Sequence, residues 1–340
     1  MDDKVVAAPQ GSRSRFLSEF AKRSWKKLVN RQEFVVLVLF IAVFLFLALW
    51  TTTFLSNHNL SSLARNFSWI AIAALGQSMV IIVGGIDLSV GATLALAGLG
   101  AAWCMQVGLP VPLSIVAGLL IGVIVGWING NMIARIRLPA FIVTLGTMSI
   151  VRGAAYGLTQ GWSVTSLPEG FLFLGQYDIP LGSWSVPLSI LVALGIALLV
   201  SLLLNRTVMG GYIYALSSGE RALLVSGVNV IRLKVWVYTL CGLLAAASGL
   251  LMTARLGVAA PAAAIGYEVD IIAAAVIGGT SMFGGVGGTL GVLVGAAVTQ
   301  MLSNGLVLLN FRSYWQTVAI GALMLFTILL DYWRRRRRKD

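Results

Sequence analysis

Residues 80–98 read VIIVGGIDLSVGATLALAG, and residues 266–296 read GYEVDIIAAAVIGGTSMFGGVGGTLGVLVGA. Each sets a glycine-framed segment inside an apolar run long enough to cross a bilayer: GGIDLSVG at Gly84–Gly91 and GGTSMFGG at Gly278–Gly285. Backbone that leaves helical geometry at membrane depth has no water to satisfy its N–H and C=O groups, so it persists only where it is buried in protein or lines a polar cavity. Broken helices in corresponding positions of two halves point to a transport pathway. A membrane anchor has no use for them.

Composition bounds the class. The 340 residues are 58% hydrophobic and 11% charged, with a mean hydropathy of +0.91. A soluble domain carries roughly 25% charged residues, so the chain reads as an all-α polytopic membrane protein. Cys104 and Cys241 both lie in apolar runs and give neither a disulfide framework nor a metal-ligand spacing. The single histidine, His58, sits in a polar loop. No metal or cofactor is implied, and no Gly-x-x-x-x-Gly-Lys-Ser/Thr string occurs, so any ATP-driven step needs another subunit.

At roughly 20 apolar residues per span, about ten crossings are expected: 34–55, 67–84, 88–105, 111–133, 139–158, 187–204, 235–254, 267–283, 286–304 and 314–332. The second, third, eighth and ninth are short, as expected if each pair meets at a glycine segment. Three regions result: a basic N-terminal segment at 1–33, a transmembrane domain at 34–333 and a basic tail at 334–340. The first 33 residues are too polar, and the run after them too long, for a cleavable signal. Residues 15–31 fit either a basic interfacial helix or a loosely ordered basic tail.

Twenty of the 24 Lys and Arg fall in segments that ten spans place on one side; Arg65, Arg152, Arg255 and Arg312 are the remainder. The positive-inside rule makes that side cytoplasmic, with both termini inside a cytoplasmic membrane. The run Arg334–Lys339 directly follows Tyr332 and Trp333, which reads as anchoring to membrane lipids rather than nucleic-acid binding.

Gly84-Gly85 aligns with Gly278-Gly279, and Gly91 with Gly285. Both segments lead into small-residue spans, which gives a parallel repeat of 34–133 against 235–332. Close helix packing by small residues is the plainer reading, but it gives no reason for a Gly-Gly pair to open each segment. Asp87 and Ser89 are placed to cap the third span by accepting from its free N–H groups; a gate and proton coupling are the other roles open to Asp87. Glu268 and Asp270 fit the same capping job at the eighth span. Neutral polar residues within or at the ends of spans (Gln77, Ser78, Asn129, Asn131, Thr144, Thr147, Thr299, Gln300, Ser303 and Asn304) fit either a polyol or sugar pathway or hydrogen-bonding between helices. Residues 205–234 form a long, partly apolar segment in which a helix is expected from Ala215 to Ser226, ended by Gly227. An apolar helix with no core of its own wants a partner groove or the membrane surface.

The strings at 80–98, 127–153 (WINGNMIARIRLPAFIVTLGTMSIVRG), 226–251 (SGVNVIRLKVWVYTLCGLLAAASGLL) and 266–296 resemble the permease subunits of bacterial ABC importers of the ribose/xylose type. The resemblance implies a permease dimer, homomeric or heteromeric. It also implies a cytoplasmic ATPase that supplies the energy and an extracytoplasmic sugar-binding protein that delivers the substrate. It assigns ATPase coupling to the 205–234 segment, where the residues themselves point to Glu220, Arg221, Leu223 and Leu224 as the contact; gating or structural roles are read from the spacing of Gly84, Gly85, Asp87, Ser89, Gly278 and Gly279. The chain departs from the family pattern at Ser217-Ser218-Gly219, where Gly-Gly-Asn is usual. A stand-alone carrier for a small neutral solute is the competing class; the scarcity of buried carboxylates speaks against ion coupling.

Overall fold

The computed structural model describes residues 32–182 and 184–336. The basic N-terminal segment and the end of the basic tail lie outside them. Thirteen helices are described: α1 (Gln32–Trp50), α2 (Asn57–Ile82), α3 (Val90–Gln106), α4 (Val111–Ala134), α5 (Ala140–Thr159), α6 (Glu169–Gln176), α7 (Leu188–Arg206), α8 (Val208–Ser218), α9 (Glu220–Val225), α10 (Val230–Leu256), α11 (Tyr267–Ile277), α12 (Thr289–Leu308) and α13 (Ser313–Arg336). A small antiparallel hairpin, β1 (Asp178–Leu181) with β2 (Trp184–Pro187), adds strand to a chain expected to be all helical.

Seven of these helices are long and apolar enough to cross a membrane: α2, α4, α5, α7, α10, α12 and α13. Shorter apolar stretches are Val36–Trp50 within α1, α3, and Val208–Ser217 within α8. Helix α11 has 11 residues, and at 1.5 Å per residue it covers roughly 16 Å, about half of a hydrocarbon core. Helix α2 corrects the expectation of a short second span. It has 26 residues and begins well before residue 67, at Ser56, whose hydroxyl accepts from the Asn59 N–H. The polar stretch NHNLSSLARNFS is therefore its first half.

The helices are arranged by burial. Every residue of α2 from Ser68 to Ile82 is buried, and a helix apolar all round belongs inside. Helix α10 runs beside it, where the Ser248 hydroxyl donates to the Trp69 carbonyl (2.6 Å). At the other extreme, α13 exposes Trp315, Val318, Leu325, Phe326 and Leu329, the surface expected of a helix in lipid.

Close approach of α4 to α10 rests on glycine. Gly122, Gly126 and Gly130 recur every four residues on one face of α4 and lie directly on the α10 backbone at Gly242, Tyr238 and Val235. A Cβ on Gly122 would run into the Gly242 carbonyl, and one on Gly242 into the Gly122 carbonyl. The opposite face of α4 exposes Leu113, Val116, Leu120, Ile124 and Trp127. Without a hydrophobic driving force between helices in lipid, such backbone contact supplies the packing. Gly122→Val should therefore cost about 1–3 kcal/mol by overpacking and lower the melting temperature in detergent. Gly146→Ala, on a face of α5 with nothing within 4 Å of the new methyl, should leave it unchanged.

Candidate functional site

The first break begins where α2 stops. The Gly84 N–H donates to the Ile81 carbonyl and the Gly85 N–H to the Val80 carbonyl, both at 2.9 Å, and Gly84 takes φ +83°. This is a Schellman end, in which a left-handed residue, most cheaply glycine, lets the last carbonyls be satisfied. Gly85 faces the ring of Tyr238, whose hydroxyl occupies the place a Cβ would need.

Asp87, 2% exposed, sits at the centre of the break. Its Oδ1 accepts from the Ser89 N–H (2.8 Å) and the Ser89 hydroxyl (2.6 Å). The Ser89 hydroxyl in turn accepts from Asn129 Nδ2 on α4 (2.9 Å), and Asn129 Oδ1 accepts from the Thr147 hydroxyl on α5 (2.7 Å). Every hydrogen in this relay points toward the Asp87 carboxylate, the arrangement in which neighbouring hydrogen bonds strengthen one another. With its amide oriented so that donors meet acceptors, Gln77 on α2 bonds both backbone groups of Asp87 (3.1 and 3.2 Å), and the Thr144 hydroxyl reaches the Ile86 carbonyl (3.2 Å). Side chains of α2, α4 and α5 thus stand in for the water that this buried backbone lacks.

Of the N–H groups expected to meet the Asp87 carboxylate at the start of α3, it is that of Ser89, the N-cap residue, that donates to it. Ser89 itself makes no side-chain cap: its backbone is already right-handed helical, and its oxygen accepts from Asn129 instead.

The second break repeats the helix end with a shift of one residue. The Gly279 N–H donates to the Val276 carbonyl, the Thr280 N–H to the Ala275 carbonyl, and Gly279 takes φ +94°. Gly84 therefore corresponds to Gly279, not to Gly278. Gly278 instead lies on the backbone of Gly291 and Val292 in α12. Nor do Gly91 and Gly285 correspond: Gly91 is inside α3, whereas Gly285 is a turn residue with φ +73°. The loop from 278 to 288 is held by other means. The Gly285 N–H donates to the Ile82 carbonyl (2.9 Å), the Ser281 hydroxyl to Asp331 on α13 (2.6 Å), the Ser217 hydroxyl to the Phe283 carbonyl (3.0 Å) and the Tyr214 hydroxyl to the Gly287 carbonyl (3.0 Å).

Of the pathway candidates, Gln77, Asn129 and Thr144 come together at the first break, with Thr147. Asn131 donates instead to the Trp127 carbonyl of its own helix (2.7 Å). Asn304 forms a reciprocal amide pair with Asn59 near the start of α2, 2.8 and 3.2 Å, far along that helix from Gln77. Glu268 and Asp270 occupy the first turn of α11, and the Glu268 carboxylate lies against Gly91 of α3. Among the described residues no group of three His, Cys, Asp or Glu could hold a metal.

Two expectations for the 205–234 segment are corrected. The single helix from Ala215 to Ser226 is two, α8 and α9, parted at Gly219. Leu223 is 8% exposed and packs into the main core, so the outward pair on α9 is Leu224 and Val225, 53% and 90% exposed. Glu220 pairs with Lys234 at 3.0 Å; Arg221 is exposed. Sequence reading also missed Arg152, whose guanidinium on α5 donates to the Pro261 and Ala263 carbonyls (2.8 and 2.6 Å) and pins the chain that leads into α11. The signal was there: an arginine in the middle of an apolar span.

Asp87→Asn keeps an oxygen able to accept from Ser89, so folding and most of the activity should survive. Asp87→Leu strands the buried Ser89 donors at about 1–3 kcal/mol each and should lower the yield and melting temperature of the purified protein. Thermal melts of the two variants beside the unaltered chain check this. An Asp87→Asn variant as unstable as Asp87→Leu would show that the carboxylate does more than accept hydrogen bonds.

Residues 59–328 match the family described as the branched-chain amino acid transport system / permease component. The ribose import permease protein RbsC of Haemophilus influenzae is 38% identical over 307 residues, 89% of this chain and 93% of that protein. RbsC of Escherichia coli K12 is 38% identical over 313 residues, covering 91% and 95%. The xylose transport system permease protein XylH of the same strain is 33% identical over 371 residues, covering 92% and 94%. No solved structure matches the chain. Matched from the first turn of α2 into α13, with its breaks held by its own polar side chains, the chain belongs to this permease family.

Proposed function

We propose that the chain is the membrane subunit of an ATP-driven importer for a monosaccharide, a ribose-like pentose or a related sugar. It works with a separate cytoplasmic ATPase, an extracytoplasmic sugar-binding protein and a second permease copy in the cytoplasmic membrane. The observation that carries this reading is similarity along nearly the whole length to ribose and xylose permeases. The scarcity of ionisable groups at depth adds to it, because an ion-coupled carrier would need more. In this reading the chain crosses the membrane about ten times with both termini inside, α11 and its loop together making the eighth crossing. The two Schellman ends support a parallel repeat. Gln77, Asn129 and Thr144 hold the first break beside the pathway, and Gly84, Gly85, Gly278 and Gly279 let the two breaks form.

The ATPase would bind the surface formed by α8 and α9, where Leu224 and Val225 are exposed, with Glu220 and Arg221 beside them. Burying each apolar side chain in a partner groove contributes roughly 1.5–3 kcal/mol.

Proteoliposomes loaded with ATP and containing this chain, its ATPase and its binding protein should take up radiolabelled ribose or xylose, and omission of the ATPase should abolish uptake. Equal uptake by this chain alone would establish the carrier instead. Leu224→Asp with Val225→Asp should insert normally yet lose co-purification with the ATPase and lose uptake. Co-purification at the unaltered yield would remove α9 as the docking site.

A further inference from the structure

The two helix breaks share a sequence signature but are held by different parts of the protein. The first is fixed by side chains of α2, α4 and α5, deep in the bundle. The second is held by α13 and the end of α2 and, in addition, from α8, a helix that belongs to the segment between α7 and α10. Tyr214 and Ser217 are three residues apart and so share a face of that helix. Both donate to backbone carbonyls of the loop, at Gly287 and Phe283.

Helix α8 is joined closely to its neighbours on both sides. Its N-cap Thr207 accepts from the Gly210 N–H (3.1 Å) and donates to the Leu203 carbonyl (2.6 Å). Gly210 packs on the carbonyls of Leu203 and Leu204, so the corner with α7 is tight. Ile213 and Leu216, 0% and 3% exposed, key the helix into the core. On the loop side the fit is equally close: Gly284, at φ +78°, lies against Ser217 and the Ile82 carbonyl with no room for a Cβ. From there the loop meets the last turn of α2, through the Gly285 N–H on the Ile82 carbonyl and Gly287 against the Ile82 side chain. Ile82 is two residues from the first break at Gly84.

We infer that Tyr214 and Ser217 are positioning residues that transmit displacement of α8 and α9 to the loop at 278–288 and, through Ile82, to the first break. This rests on the reading that the ATPase docks on α8 and α9. The second break is the one driven, and the first follows it.

The test uses the complex with its ATPase in nanodiscs. A nitroxide is placed at Phe283→Cys, an exposed side chain in the loop, in a Cys104→Ser background. Trapping with ATP and vanadate should shift the nitroxide spectrum of the otherwise unaltered chain. Tyr214→Phe with Ser217→Ala should lose most of that shift while the ATPase still co-purifies and the melting temperature holds. Each single substitution should lose part of it. A full shift in the double variant, or no shift in the unaltered chain while the bound ATPase hydrolyses ATP, overturns the inference. Failure of the unaltered chain to hold the ATPase overturns instead the docking reading beneath it, and the inference falls with that reading.

Discussion

Backbone that leaves the helix inside a packed bundle needs other partners in place of water, and most of this structure follows from meeting that demand twice. At the first break the replacement is a relay of amide and hydroxyl groups ending on the Asp87 carboxylate, with Gln77 bonded to the main chain of the same residue. At the second it is two hydroxyls from α8, one carboxylate from α13 and a carbonyl from α2. An unsatisfied amide in hydrocarbon costs several kcal/mol, so these partners are conditions for the breaks to exist. Their positions explain why polar residues appear in α2, α4 and α5 at all.

The glycine content has two separate uses. Gly84 and Gly279 supply left-handed backbone at the helix ends. Gly122, Gly126 and Gly130 supply nothing but absence, letting α4 lie on the main chain of α10. That contact places Asn129, next in sequence to Gly130, against the first break from one side, while Thr144 and Thr147 reach it from α5. Packing and polar satisfaction are thus set by the same stretch of α4.

Much of this was legible in the sequence. Apolar runs marked the helices, the Gly-Gly pairs marked the breaks, and a lone carboxylate between two spans marked Asp87. What hydropathy could not give was anything decided by a neighbour. The polar first half of α2 reads as a loop because its amphipathic residues gain partners only in the fold: Asn59 pairs with Asn304 and Arg65 with Asp178. Leu223 and Leu224 are indistinguishable in sequence; neighbours on a helix point about 100° apart, and the break at Gly219 sets the phase that turns Leu223 into the core and Leu224 outward. The one-residue shift between the breaks was hidden because both glycines of each pair look alike; φ separates Gly84 and Gly279 from their neighbours. Arg152 was visible but had no evident partner, since its acceptors are carbonyls more than a hundred residues away.

The account makes the breaks protected structure rather than hydrated loops. Hydrogen–deuterium exchange of the protein in lipid nanodiscs tests this most directly, followed on peptides covering 84–91 and 278–288. Slow exchange is predicted at the amides of Gly85, Ser89 and Gly285, which donate to Val80, Asp87 and Ile82, comparable to that of the buried turns of α2. Exchange at these amides as fast as in an unstructured peptide would contradict the account, because water would then be doing what the polar side chains are held to do.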